Sequence, residues 1–106
     1  MIMDDLSAKF LPQFLELARS RLAAALQAAA TRDHLATTAT ARNLHTLAGE
    51  AGLLGLHDVV PLAREGETRA KALGTSRSDA DAESLVDVLR RLERVIESIG
   101  ATYTSK

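Results

Sequence analysis

Few residues in this 106-residue chain could do covalent or metal chemistry, and their spacing narrows the choice further. His34, His45 and His57 stand eleven and twelve residues apart, so no two share a helix face one turn from each other, as a helix-borne metal site requires. No metal site is expected. The chain has no cysteine, which removes disulfides, thiol catalysis and zinc–thiolate sites together. No serine sits in the strand–turn–helix setting of a nucleophile elbow. Glu65 and Glu67 cannot face each other on one helix, and no strand precedes a glycine-rich phosphate cradle.

What remains is His45, within Asn43-Leu44-His45-Thr46-Leu47-Ala48-Gly49-Glu50-Ala51-Gly52-Leu53-Leu54-Gly55. Leu44, Leu47, Ala51 and Leu54 recur at helical spacing and form one apolar stripe. At about 100° per residue, that stripe is centred well over 100° from His45, which therefore points away from the core. The histidine's own face carries Thr38, Ala41, Arg42, Ala48, Gly49 and Gly52, small residues apart from the arginine. An imidazole standing on such a surface keeps a ring-nitrogen lone pair near neutral pH and can hold a phosphoryl group as phosphohistidine. Arg42 is the only charged neighbour on its face, so catalytic groups would have to come from a partner. Gly49 and Gly52 each cost about 1 kcal/mol relative to alanine in a helix interior. Clearance for another molecule beside His45 is a physical reason to keep them, which makes Ala41, Arg42, Ala48, Gly49 and Gly52 the expected docking residues.

Four helices are expected to position this stretch. The first runs from about Asp4 to Ala30, capped by Asp4 or Asp5, with Pro12 separating a short leading turn or kinking the helix. Its inward face is Leu11, Phe14, Leu15, Ala18, Leu22, Ala25, Leu26 and Ala29, with Arg19, Arg21 and Gln27 outside and Phe10 and Phe14 filling the end of the bundle. The second runs from His34 to Leu54 with Asp33 as N-cap and Gly55 as stop. Thr37, Thr38 and Thr40 weaken its first half by propensity, so packing must hold it. The third begins near His57 or Asp58 with Pro61 in its first turn. It turns Val59, Leu62, Ala63, Gly66, Ala70 and Leu73 inward, Gly66 signalling close approach, and residues 74–78 form a loop. The fourth starts after Ser78 or Asp79 and runs to Ile99 on an a/d pattern of Leu85, Val88, Leu89, Leu92, Val95, Ile96 and Ile99. Gly100 stops it, leaving residues 101–106 as a loose tail. Short connections between long amphipathic helices predict an all-α, antiparallel up-and-down four-helix bundle in a single domain spanning residues 1–106.

Composition sets the remaining bounds. A formal charge of −1 with 25% charged residues gives no basic footprint for nucleic acid. No stretch reaches the roughly 18 apolar residues of a membrane span, and Met1-Ile2-Met3-Asp4-Asp5 lacks the pattern of a signal peptide. A cytoplasmic monomer is expected.

His45-x-Leu47-x-Gly49-x-Ala51-x-x-x-Gly55, followed by Ala63-x-x-x-Glu67, resembles the histidine-containing phosphotransfer (HPt) domain of bacterial phosphorelays. Asp33, twelve residues before the histidine, resembles the start of that family's phosphoacceptor helix. The resemblance covers essentially the whole chain. It implies that His45 exchanges a phosphoryl group with an aspartate of a receiver domain, or receives one from a histidine kinase. It also implies that Gly49 lets the receiver approach, and that the receiver brings the magnesium ion, so the chain has no cofactor of its own. The family usually has lysine or arginine three residues after the histidine, to help hold the phosphoryl oxygens, and this chain has Ala48. Arg42 is the candidate substitute. The alternative reading is a bundle that binds a receiver or kinase without carrying phosphate.

Overall fold

The structure, a computed structural model, describes residues 5–104. Four helices follow one another: α1 (Asp5–Thr31), α2 (His34–Leu53), α3 (Val59–Ser76) and α4 (Asp79–Thr104). Two-residue links join α1 to α2 and α3 to α4, and residues 54–58 join α2 to α3, so successive helices run antiparallel. α1 packs on α2 and α4, and α3 packs on the same two, closing the up-and-down bundle. Its long dimension of 43 Å matches the roughly 1.5 Å per residue of its longest helices.

The core is what the periodicities demand. Leu85, Val88, Leu89, Leu92 and Ile96 of α4 are buried against Leu11, Phe14, Leu15, Leu22 and Ala25 of α1 and Leu44, Leu47, Val59 and Leu73 of the other pair. Each leucine, isoleucine, valine or phenylalanine among them contributes about 1.5–3 kcal/mol by leaving water. Gly66 allows α3 close to α2: a Cβ there would lie 3.0 Å from Leu44 Cδ1.

The helix ends show local chemistry at work. Asp33 is extended at φ −65°, ψ 135°, and its carboxylate accepts the Ala36 N–H at 3.0 Å. At the other end of α2, Gly55 takes φ +73°, where an L side chain would be strained. Its N–H donates to the Gly52 carbonyl at 3.2 Å and the Leu56 N–H to that of Ala51 at 2.9 Å, a Schellman closure completed by burial of Leu56. Ser78 caps α4 by accepting the Asp81 N–H at 3.1 Å. The two short links share one end of the bundle, where the Arg32 guanidinium donates to the Arg77 carbonyl at 3.2 Å and to Asp79 Oδ1 at 2.6 Å.

Several local expectations change. α1 continues unbroken through Pro12, which is exposed, so no separate leading turn forms. The cap expected at Asp4 lies outside the described residues, and Asp5 is the first residue of α1. Phe14 is buried as expected, whereas Phe10 is 46% exposed and does not fill the bundle's end. α3 does not stop at Gly74 but runs to Ser76, because Gly74 packs against α2: a Cβ there would meet Thr37 Oγ1 at 2.9 Å. Gly100 likewise does not end α4. It is buried against Arg19 and Leu15 of α1, and the helix continues to Thr104. Of the expected tail, Ser105 and Lys106 lie outside the described residues.

Candidate functional site

α2 carries the site, and its surface divides into a buried arc and an open face. Its buried residues are Thr37, Thr40, Ala41, Leu44, Leu47, Ala48 and Ala51. This arc is wider than the apolar stripe, since α2 is flanked by α1 on one side and α3 on the other. Ala41 and Ala48, expected on the open face, are only 5% and 6% exposed and belong to this arc. The threonines fit the same division. Thr37 Oγ1 and Thr38 Oγ1 both donate to the His34 carbonyl, at 3.0 and 2.8 Å, so Thr37 is buried with its hydroxyl satisfied.

Opposite the arc, the His45 side chain is 77% exposed. It does not stand alone. Its Nδ1 lies 3.1 Å from Glu67 Oε1 of α3, and the second oxygen of that carboxylate, Oε2, lies 3.0 Å from Lys71 Nζ, one turn further along α3. The order from glutamate to lysine at i,i+4 is the favourable one for an ion pair on a helix. Glu67 is largely packed, with 18% of its side chain exposed, whereas Lys71 is open to solvent.

The electrostatics fix the proton. The Lys71 ammonium, and secondarily the hydrogen bond from His45, hold the Glu67 carboxyl below its ordinary value of 4.5 despite opposing desolvation. Since the shift is downward, the pairing contributes to stability above that ordinary value and is lost as pH falls through the lowered one. An ionised carboxylate can only accept. Nδ1 must therefore donate, and in the neutral ring the lone pair is left on Nε2.

His45 and Glu67 share a groove between α2 and α3 with Arg42, Lys71, His34 and Thr38. Arg42 is exposed, and no ion pair holds it among the described residues. Past His45, Gly49 and Gly52 are exposed; a Cβ at Gly49 would meet nothing within 4 Å, and one at Gly52 only Val60 Cγ2 at 4.0 Å. Beyond them Leu53, 88% exposed, joins Phe10, Phe14, Leu17 and Leu54 around an apolar depression between α2 and α1. Arg21 and Glu50 form an ion pair between the same two helices. Of the residues expected to dock a partner, Arg42, Gly49 and Gly52 present surface, and Ala41 and Ala48 do not.

Glu67 and Lys71 lie outside the set of neighbours on the histidine's own helix face, because they stand on the adjacent helix. The signal is nonetheless present. In an antiparallel helix pair, residues equally distant from the connecting turn face each other. Gly52 meets Val60, His45 meets Glu67 and Thr37 meets Gly74, all centred on the turn around Leu56.

Among the described residues no group of three or more histidine, cysteine, aspartate or glutamate side chains could hold a metal ion. No helix among them is long and apolar enough to cross a membrane. The model of one protein family, described as the Hpt domain, matches residues 9–101 of the chain. The comparisons with curated proteins and with solved structures gave no match.

Proposed function

Because the chain belongs to the Hpt domain family, whose members perform histidine phosphotransfer in phosphorelays, we propose that it carries a phosphoryl group on Nε2 of His45. The observation that carries this reading is the division of labour between the two ring nitrogens. Nδ1 is held by an ionised carboxylate at 3.1 Å, and Nε2 is left with its lone pair on a ring that is 77% exposed.

The transfer then runs as follows. A receiver domain presents its aspartyl phosphate, or a histidine kinase its phosphoryl group, to the open face of α2. The Nε2 lone pair forms the N–P bond while the bond from phosphorus to the donor's oxygen or nitrogen breaks, its electron pair leaving with the donor. Nδ1 keeps its proton, and the ring, now formally cationic, is stabilised by the Glu67 carboxylate across that hydrogen bond. Donation to the next receiver is the reverse. Glu67 already accepts from His45 and Lys71, so it is not free to act as acid or base at Nε2. The chain carries the group, and the partner supplies the groups, magnesium included, that activate phosphorus.

A partner reaching His45 lands beside Gly49 and Gly52, and Leu53 lies about 12 Å along the helix from the histidine. That is within the footprint of a transient interface of roughly 1,200 Å² in total. The apolar surface of Phe10, Leu17 and Leu53 therefore extends the same docking face.

Arg42 supplies the cation on the phosphoryl side. It is one turn before His45, exposed and lines the same groove. Arg42→Ala is expected to slow phosphoryl acceptance up to about fivefold, the worth of one solvent-screened charge contact. Unchanged transfer would remove Arg42 from the site.

The reading is tested with candidate kinases and phosphorylated receivers. Acid-labile, alkali-stable label on the chain is the expected result. Binding to a receiver without label from any competent donor would replace it with a docking module that carries no phosphate, the reading that Ala48 favours.

A further inference from the structure

The resemblance to the family places a cation three residues after the histidine, and this chain has a buried alanine there. A cation is nevertheless built into the site from the other helix. Lys71 Nζ lies 3.0 Å from Glu67 Oε2, and Glu67 Oε1 lies 3.1 Å from His45 Nδ1, so one carboxylate bridges the lysine and the histidine. We propose that Lys71 is a positioning residue for phosphoryl transfer, fixing the Glu67 carboxylate on Nδ1 so that Nε2 keeps the attacking lone pair. The inference rests on His45 being the phosphoacceptor.

Three features of the site carry it. The imidazole is mostly in solvent, and Glu67 is its one hydrogen-bonding partner among the described residues, so its orientation and tautomer depend on that carboxylate. Glutamate loses considerable rotamer freedom when its head group is fixed, and Lys71 holds the oxygen that His45 does not use. The charges also demand a cation here. A phosphoryl group arriving on Nε2 brings two negative charges close to the Glu67 carboxylate. The groove holds two basic side chains, Arg42 on α2 and Lys71 on α3. Arg42 has no carboxylate partner among the described residues, so Lys71 alone offsets Glu67 directly.

A salt bridge of purely structural value would leave the ring untouched, and that difference is measurable. The full chain, labelled with ¹⁵N in its histidines, is compared as wild type, Lys71→Met and Lys71→Arg. Phosphoramidate serves as the donor, because it needs no docking surface. Lys71→Met is expected to move the His45 ring signals from the Nδ1–H pattern toward a mixture of tautomers. It is also expected to slow phosphorylation by about three- to tenfold, the scale of a modest loss of positioning. Lys71→Arg restores both. In a Glu67→Gln background, Lys71→Met is expected to cause no further loss, since the lysine acts through the glutamate.

Wild-type ring signals and rates in Lys71→Met would overturn the proposal, as would a full additional loss in the Glu67→Gln background. Failure of the wild type to take label at His45 would instead overturn the functional reading. In that case the ring signals still report whether Lys71 sets the tautomer.

Discussion

Glutamine in place of His45 is expected to abolish phosphoryl acceptance while leaving the bundle and its partner binding intact. The amide has no nucleophilic lone pair comparable to that of Nε2, so the loss should exceed about a hundredfold and leave no acid-labile label above background. The side chain is similar in length, and its N–H₂ group can still donate to Glu67, so that carboxylate keeps a partner. The position is 77% exposed, and surface changes of this kind move stability by no more than about 0.5 kcal/mol. Labelling, thermal melting and receiver binding on the same preparation separate these effects. Label retained by His45→Gln would place the phosphoacceptor elsewhere. His34 and His57 are the other imidazoles, and both are exposed.

Gly49→Gln is expected to act in opposite directions on folding and on function. In the helix, a side chain at Gly49 meets no atom within 4 Å of its Cβ. Removing an interior glycine should raise stability by about 0.5–1 kcal/mol. One turn past His45, however, the same side chain stands on the face proposed for receiver docking. Receiver affinity and receiver-dependent transfer should fall by at least about tenfold, or about 1.4 kcal/mol, while phosphorylation by phosphoramidate stays as in wild type. Binding at wild-type strength would mean that Gly49 provides no clearance. The contrast with Gly66 is instructive, because there a Cβ would press on Leu44 Cδ1 at 3.0 Å and an added side chain would strain the core.

Those two glycines also show where sequence reasoning succeeds and where it stops. The periodicity of Leu44, Leu47 and Ala51 places His45 outside the core without reference to any other helix. Asp33 and Gly55 bound α2 because capping is a local hydrogen-bonding problem. Gly74 and Gly100 read as stops by composition, yet both lie within helices, packed against Thr37 and Arg19 respectively. A glycine that breaks a helix and one that admits a neighbour look the same until the neighbour is known. Ala41 and Ala48 illustrate the same limit: each is close to the histidine on a helical wheel, and the width of the arc covered by two flanking helices decides that they are buried. The pairing of His45 with Glu67 was legible in principle, by counting outward from the turn at Leu56, but only after α2 and α3 were taken as antiparallel neighbours. Phe10 shows the reverse error, an aromatic expected to fill the bundle's end that instead joins Leu17 and Leu53 on the surface.

The central claim is that Nε2 of His45, freed by the hold of Glu67 on Nδ1, takes the phosphoryl group. Its most direct test is ¹⁵N and ³¹P NMR of the chain after phosphorylation, with the histidine ring nitrogens labelled. The account predicts a single phosphorus-coupled nitrogen, Nε2 of His45, with Nδ1 still bearing its proton. Phosphorus on Nδ1, or on either of the other two histidines, would contradict it.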